Sequence, residues 1–223
     1  MSAARRLRAA SLALAGTALI AACAGGPPPP DWTLNARSAL EGYEGAYLRG
    51  NARVAEFEFE RGRAELARTG RADEVAHAEL LRCALRTASL EFDECPDFAP
   101  LAQDAGAPAR AYAAYLAGRW EGLDVSLLPA AHRAVLARGG EGGALGAIEE
   151  PLARLVAAGV LFRIGRIAPA DIAAATETAS ANGWRRPLLA WLGVQESRAQ
   201  AAGDRDAAAA IRRRIELVLG DKR

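Results

Sequence analysis

The chain has 223 residues, with 28 Lys and Arg against 27 Asp and Glu and a formal net charge of +1. Without a basic excess there is no electrostatic footprint for nucleic acid. The balance of 51% hydrophobic and 25% charged residues excludes wholesale disorder. About 55 residues are Ala and only 6% are aromatic, a composition of small, helix-favouring side chains that points to closely packed helices.

The first 22 residues divide into a basic start with Arg5, Arg6 and Arg8, an apolar stretch from Leu12 to Ile20, and a small-residue end. That is the pattern of a secretory signal. A lasting span needs about 20 apolar residues, more than this stretch supplies. The signal closes on Ile20-Ala21-Ala22-Cys23, which resembles the lipobox of bacterial lipoproteins. The resemblance implies removal of residues 1–22 and acylation of Cys23, and two or more chains give stable anchoring. The alternative is an ordinary secreted protein with Cys23 incidental. Ala24 stands where many Gram-negative lipoproteins carry an inner-membrane retention Asp, so the resemblance implies an outer-membrane anchor facing the periplasm. Gly25-Gly26 and Pro27 to Pro30 then read as a short tether within residues 23–31, half flexible and half stiff. Cleavage would remove three Arg and no acid, leaving a net charge of −2 that gains nothing from anionic lipid heads.

With Cys23 assigned to lipid, Cys83 and Cys95 remain in a compartment where disulfides persist. A helix carrying Cys83 to about Phe92, followed by a return through Asp93-Glu94-Cys95-Pro96, brings the two within reach. A redox-active pair is a second reading. Two cysteines twelve apart without flanking His make a poor metal site.

The rest of the chain, residues 32–220, reads as one all-α domain of antiparallel hairpins. Helices are expected over residues 33–49, 52–69 and 72–92, separated by single glycines. In the second, Ala52, Ala55, Phe59, Gly62 and Leu66 share one face, although Glu56-Phe57-Glu58-Phe59-Glu60 also alternates like a strand. In the third, Ala78, Leu81, Leu85, Ala88 and Phe92 form the stripe. Pro108 and Pro129 sit where a first-turn proline starts a helix, giving 108–117 and 129–138. A helix over 147–165 has a core apolar enough to be buried centrally. Pro169 and Pro187 open two more, and Asp204 caps a last one that should bury Ile211, Ile215, Val218 and Leu219. The glycine run within 139–146 suggests a hinge.

Tyr47-Leu48-Arg49-Gly50-Asn51, followed by Ala55, Phe59 and Gly62, resembles the tetratricopeptide repeat, and Gly203-Asp204 with Ala208 repeats a fragment of it. Gly50 and Gly70 are 20 apart where that family has 34, and no fixed period crosses the middle of the chain. The fold is therefore either a TPR-like α-solenoid or an irregular helical bundle. The resemblance implies a concave surface that binds peptides or partner proteins.

Chemistry is sparse. His77 and His132 are the two histidines, and neither belongs to a zincin motif. His77 reads as a helix-surface residue. His132, at steps of four and three from Leu128 and Val135, reads as a core or interface histidine. There is no Gly-x-Ser-x-Gly elbow, and residues 139–146 lack the Gly-Lys-Ser/Thr of a nucleotide loop, so neither a nucleotide nor another cofactor is implied. Glu149 and Glu150 are weak candidates for glycan-cleaving acids and better placed to favour a helix N-terminus. Trp120, in a turn between helices, and Tyr47 are the candidate partner-binding residues. The expectation is a lipid-anchored adaptor or scaffold that binds other envelope proteins. The alternatives are a peptidoglycan-acting enzyme or binder and a structural subunit of an envelope transport complex.

Overall fold

A computed structural model describes residues 28–137 and 143–220. The expected signal sequence, Cys23, all of the expected tether before residue 28 and positions 139–142 of the expected hinge lie outside the described residues. Among those described there are nine α-helices and no strand: α1 Asp31–Leu48, α2 Ala52–Ala67, α3 Ala72–Ala88, α4 Ala107–Leu116, α5 Ala130–Ala137, α6 Pro151–Arg163, α7 Pro169–Ala181, α8 Arg185–Ala201 and α9 Arg205–Leu219. No described helix is long and apolar enough to cross a membrane. Residues from Trp32 onward form one compact unit.

Short turns make hairpins of α2 and α3, α6 and α7, α7 and α8, and α8 and α9, while α3 and α6 pack on each other and join the two halves. The turns share a cause. Gly183, at φ 63°, donates to the Ser180 carbonyl at 3.1 Å, and Trp184 reaches back to Ala179 at 3.0 Å, so a left-handed residue satisfies carbonyls that the helix end would leave bare. Gly50, Gly165 and Gly203 do the same.

Helix α3 closes without a glycine. Leu90 takes φ 60° and donates to Thr87 at 3.1 Å, while Glu91 reaches Arg86 at 2.9 Å. The helix expected to run to Phe92 therefore ends at Ala88, and Phe92 lies beyond it, stacked on Phe162 at 6.2 Å. The left-handed conformation costs a leucine about 1–2 kcal/mol, offset by packing its side chain on the core. The earlier turn brings Cys95 back to Cys83 with a Cα separation of 5.7 Å, in a disulfide.

Helix α6 begins at Pro151, not Ala147. A residue before proline is pushed out of the helical region, and Glu150 sits at ψ 121°; Ala144–Ala147 forms a separate 3-10 turn. From Leu155 to Leu161 every residue of α6 is buried. Its closest neighbour is α3, where a Cβ on Gly159 would overlap the Thr87 carbonyl. Helix α8 starts two residues before Pro187, since first-turn amides need no partner. Helix α9 lies at the periphery. Ala208 is its buried residue, Ile211, Ile215 and Val218 are half-buried, and Leu219, expected inside, is exposed.

Two apolar clusters meet on α3. One joins α1, α2 and the Val75, Ala78 and Leu85 side of α3, with the Phe59 ring edge-on to Tyr43 at 4.9 Å. The other gathers α4 to α8 around α6 and takes Leu80, Ala84 and Ala88 from the opposite side. Glu79 of α3 is buried and pairs with Arg63 of α2 at 2.7 Å.

Candidate functional site

The residues marked out by sequence lie in several places. Tyr47, near the end of α1, is buried; its hydroxyl donates to Glu91 at 2.8 Å, and the Arg186 guanidinium lies 4.2 Å above its ring. Arg186 also pairs with Glu91 at 2.7 Å and donates to the Tyr47 carbonyl at 3.0 Å. Burial, then the neighbouring Glu91 carboxylate, pushes the Tyr47 phenol well above its ordinary range. This group ties α1, the turn after α3 and α8 together.

Trp120 occupies the turn after α4. Its ring lies parallel to Tyr115 at 5.9 Å, and its indole N–H donates to the Tyr115 carbonyl at 3.3 Å. Glu149 is exposed. The Glu150 carboxylate accepts from the backbone amides of Leu152 and Ala153, where a negative charge meets the positive end of α6. The Cys83 and Cys95 sulfurs are joined to each other, and Asp93 beside them accepts from the Cys95 amide at 3.0 Å and pairs with Arg86 at 2.7 Å.

An open concavity lies where α3, α4, α5 and α6 face one another. It has a volume of about 580 Å³, within the range that ligand and anchor-residue pockets occupy. Leu80, Leu81 and Ala84 line it from α3, Ala109 and Tyr112 from α4, and Leu152, Ala153 and Val156 from α6. The segment before α5 closes another wall with Leu127, Leu128 and Pro129. Polar groups are few: His77 on the α3 edge, Glu150 at the mouth and His132 from α5.

His132 is 3% exposed. Tyr115 flanks its ring at 4.9 Å between centroids and Tyr112 at 5.6 Å. Its Nδ1 is buried without a hydrogen-bond partner among the described residues, as is the Tyr115 hydroxyl. Burial holds the imidazole pKa down at about 4, so the ring is neutral at physiological pH. It also raises the Tyr112 and Tyr115 phenols.

A second hollow, of about 370 Å³, adjoins the groove and shares His77 and Leu81 with it. Trp32, Ala36 and Leu40 of α1 line it together with Leu66 and Ala78. Acids dominate its edge: Glu41, Glu44 and Glu74 against Arg37. Arg37 is spent on Glu41 at 2.8 Å, and Glu74 pairs with Arg71 at 3.0 Å. The Glu44 carboxyl is raised by burial, then by Glu150 and Glu41. Its coupling to Glu150 places the acidic edge of one hollow beside the mouth of the other.

Sequence reasoning gave His132 a buried place, and it has one, but it did not single out Tyr112 or Tyr115. Their spacing of three on a helix was the available signal. Compared with known proteins, the chain matches no family model, no curated protein and no solved structure.

Proposed function

We propose that this chain is a lipid-anchored outer-membrane protein, held by acylated Cys23 and facing the periplasm, whose helical domain binds other envelope proteins as an adaptor or scaffold. The observation that carries the binding part is the pair of adjoining open hollows along α3, apolar on their walls and acidic at their edge. Exposed concave apolar surface rimmed by charge marks interaction sites. The occupant that fits is an amphipathic segment of a partner protein, its apolar face laid along Leu81 and Leu152 and its flanking Lys or Arg set against Glu44 and Glu150. The anchor and the address rest on the lipobox-like end of the signal sequence and on Ala24. The Tyr47–Phe59 stretch, with its resemblance to a repeat that binds peptides, supports the same reading.

The test is site-specific crosslinking in living cells. A photoreactive residue at Leu81 or at Leu127 should capture the same small set of envelope proteins. One at Leu217, 81% exposed on α9, should not. Glu44→Arg should reduce capture, and Cys23→Ser should abolish it. Equal capture from Leu217, or none from either groove position, overturns the proposal.

A further inference from the structure

A smaller cavity, of about 170 Å³, lies where α1, α2 and α3 meet beside the start of α8, and it shares no residue with the two hollows along α3. Its lining is charged: Arg82 and Arg86 of α3 and Arg186 of α8 stand with Glu56 of α2 and Glu91. The acids and cations are not equally engaged. Glu91 accepts from Tyr47 through one oxygen and from Arg186 through the other, so it is satisfied within the fold. Arg86 gives one terminal nitrogen to Asp93 at 2.7 Å, and its other has no partner among the described residues. Arg82 lies 3.5 Å above the Phe59 ring and comes no closer than 3.5 Å to any carboxylate, with Glu56 and Glu60 at 3.5 Å, Asp97 at 3.6 Å and Glu79 at 3.9 Å. A charge-assisted N–H···O bond is about 2.7–2.9 Å long, so this guanidinium is bonded closely to none of them. Glu79 is closed on Arg63, and Glu60 and Asp97 are exposed, where water screens them.

Tyr43 marks the inside of the cavity. Its ring is buried, 2% exposed and edge-on to Phe59. Its hydroxyl has no hydrogen-bond partner among the described residues, and it is not sealed from solvent as the Tyr115 hydroxyl is. Burial raises the phenol well above its ordinary value, and the charges that act on it next are, in order, Arg82, Glu56, Arg86 and Arg186. Those four all line the cavity, which places the hydroxyl at its wall. A phenol shifted upward keeps its proton at neutral pH and is a donor there. Buried polar groups nearly always have partners; this one faces a cavity instead.

We propose that the cavity binds a small monocarboxylic acid as its anion, the carboxylate accepting from the Tyr43 hydroxyl, from Arg82 and from the open terminal nitrogen of Arg86. The donors converge and the one acid of the lining without a close partner is Glu56, so the occupant is an acceptor. Three arginines against two glutamates leave one positive charge in the lining, which a single carboxylate neutralises and a divalent anion would exceed. The volume lies below the range of about 300–1,000 Å³ that drug-sized ligands occupy, which keeps the acid small.

The probes are acetate, acetamide and inorganic phosphate, each titrated into the full chain carrying Cys23→Ser with its tyrosine Cζ carbons labelled for NMR. The Tyr43 signal is the one that Tyr43→Phe removes. Acetate should move it saturably, and acetamide, of the same shape without the charge, should not. Phosphate should bind more weakly than acetate. Tyr43→Phe should be as stable as the parent in urea, since its hydroxyl holds nothing in the fold, and should bind acetate about tenfold more weakly, the equivalent of one hydrogen bond to a charged group; the Tyr47 signal, from the same cavity, follows acetate in that variant. Ala52→Glu adds an acid at an exposed lining position in the first turn of α2, where the helix tolerates one, and should abolish acetate binding without loss of stability. No saturable shift with acetate, an equal shift with acetamide, tighter binding of phosphate, or acetate affinity unchanged in Tyr43→Phe or in Ala52→Glu each overturns the inference. Neither Leu81 nor Leu127 lines this cavity, so crosslinking there and acetate binding here fail independently.

Discussion

Replacing Gly159 with alanine tests whether α3 and α6 are held together by close backbone approach. A Cβ there would lie 2.8 Å from the Thr87 carbonyl carbon and 3.0 Å from its Cγ2, and would overlap the carbonyl oxygen. Ordinary carbon–carbon contact is about 3.5–4.0 Å, and the overlapped oxygen needs the larger shift, so the helices would have to part by about 1 Å or more where both are buried. Overpacking of this kind costs about 1–3 kcal/mol, and a rigid backbone neighbour puts it at the upper end. The alanine returns up to about 1 kcal/mol of helix propensity. The net loss is about 1–2 kcal/mol, or a fall of roughly 2–8 °C in Tm for a domain of this size. Gly193 of α8 is the control, because its Cβ would meet nothing within 4 Å. Gly193→Ala should gain about 0.5–1 kcal/mol from propensity alone. Urea unfolding of the two variants beside the parent reads both signs. A Gly159→Ala protein as stable as Gly193→Ala would refute the close approach of α3 and α6.

Further outcomes follow from the same contacts. Cys95→Ser, or reduction of the parent, removes the Cys83–Cys95 closure of a short loop and should lower stability by about 3 kcal/mol; calorimetry with and without reductant checks it, and a variant insensitive to reductant while the parent responds is the expected pattern. Glu150→Ala deletes the side-chain cap of α6 and should cost about 1 kcal/mol in urea unfolding, an effect that Glu149→Ala should not share. His132 is held near pKa 4 by burial against about 6.5 in an unfolded chain, so the unfolded state binds its proton first and stability falls as pH drops from about 6.5 to 4, by up to about 3 kcal/mol. In His132→Leu that pH window should flatten, and an unchanged slope between pH 7 and 4 would show that the loss comes from other groups.

Much of the fold was legible because its punctuation is local. Gly50, Gly70, Gly183 and Gly203 close helices through a backbone conformation that glycine adopts freely, and Pro108 and Pro169 stand in first turns. The apolar period of α2 placed Ala55, Phe59, Gly62 and Leu66 together on the buried side. Where tertiary packing replaced local chemistry, sequence misled. Leu90 closes α3 in a conformation that glycine would mark, because its side chain has a place on the core. Leu219 looked like a core residue by period, but among the described elements α9 packs chiefly against α8, so its apolar stripe is half used.

The groove belongs to the part that no local signal carries. Its lining comes from residues 77 to 156 on four helices and the segment before α5, and no window of sequence contains more than one wall. Periodicity put His132 inside, since Leu128 and Val135 share its face; it could not say whether Nδ1 would find a partner. That depends on what Tyr112 and Tyr115 present to it, and they present rings. The nitrogen is buried without a partner among the described residues, and that lowers the stability of the folded domain. Tyr47 meets comparable burial with a partner, its hydroxyl donating to Glu91, and the difference between the two lies in what other elements bring near them, which no spacing in sequence records.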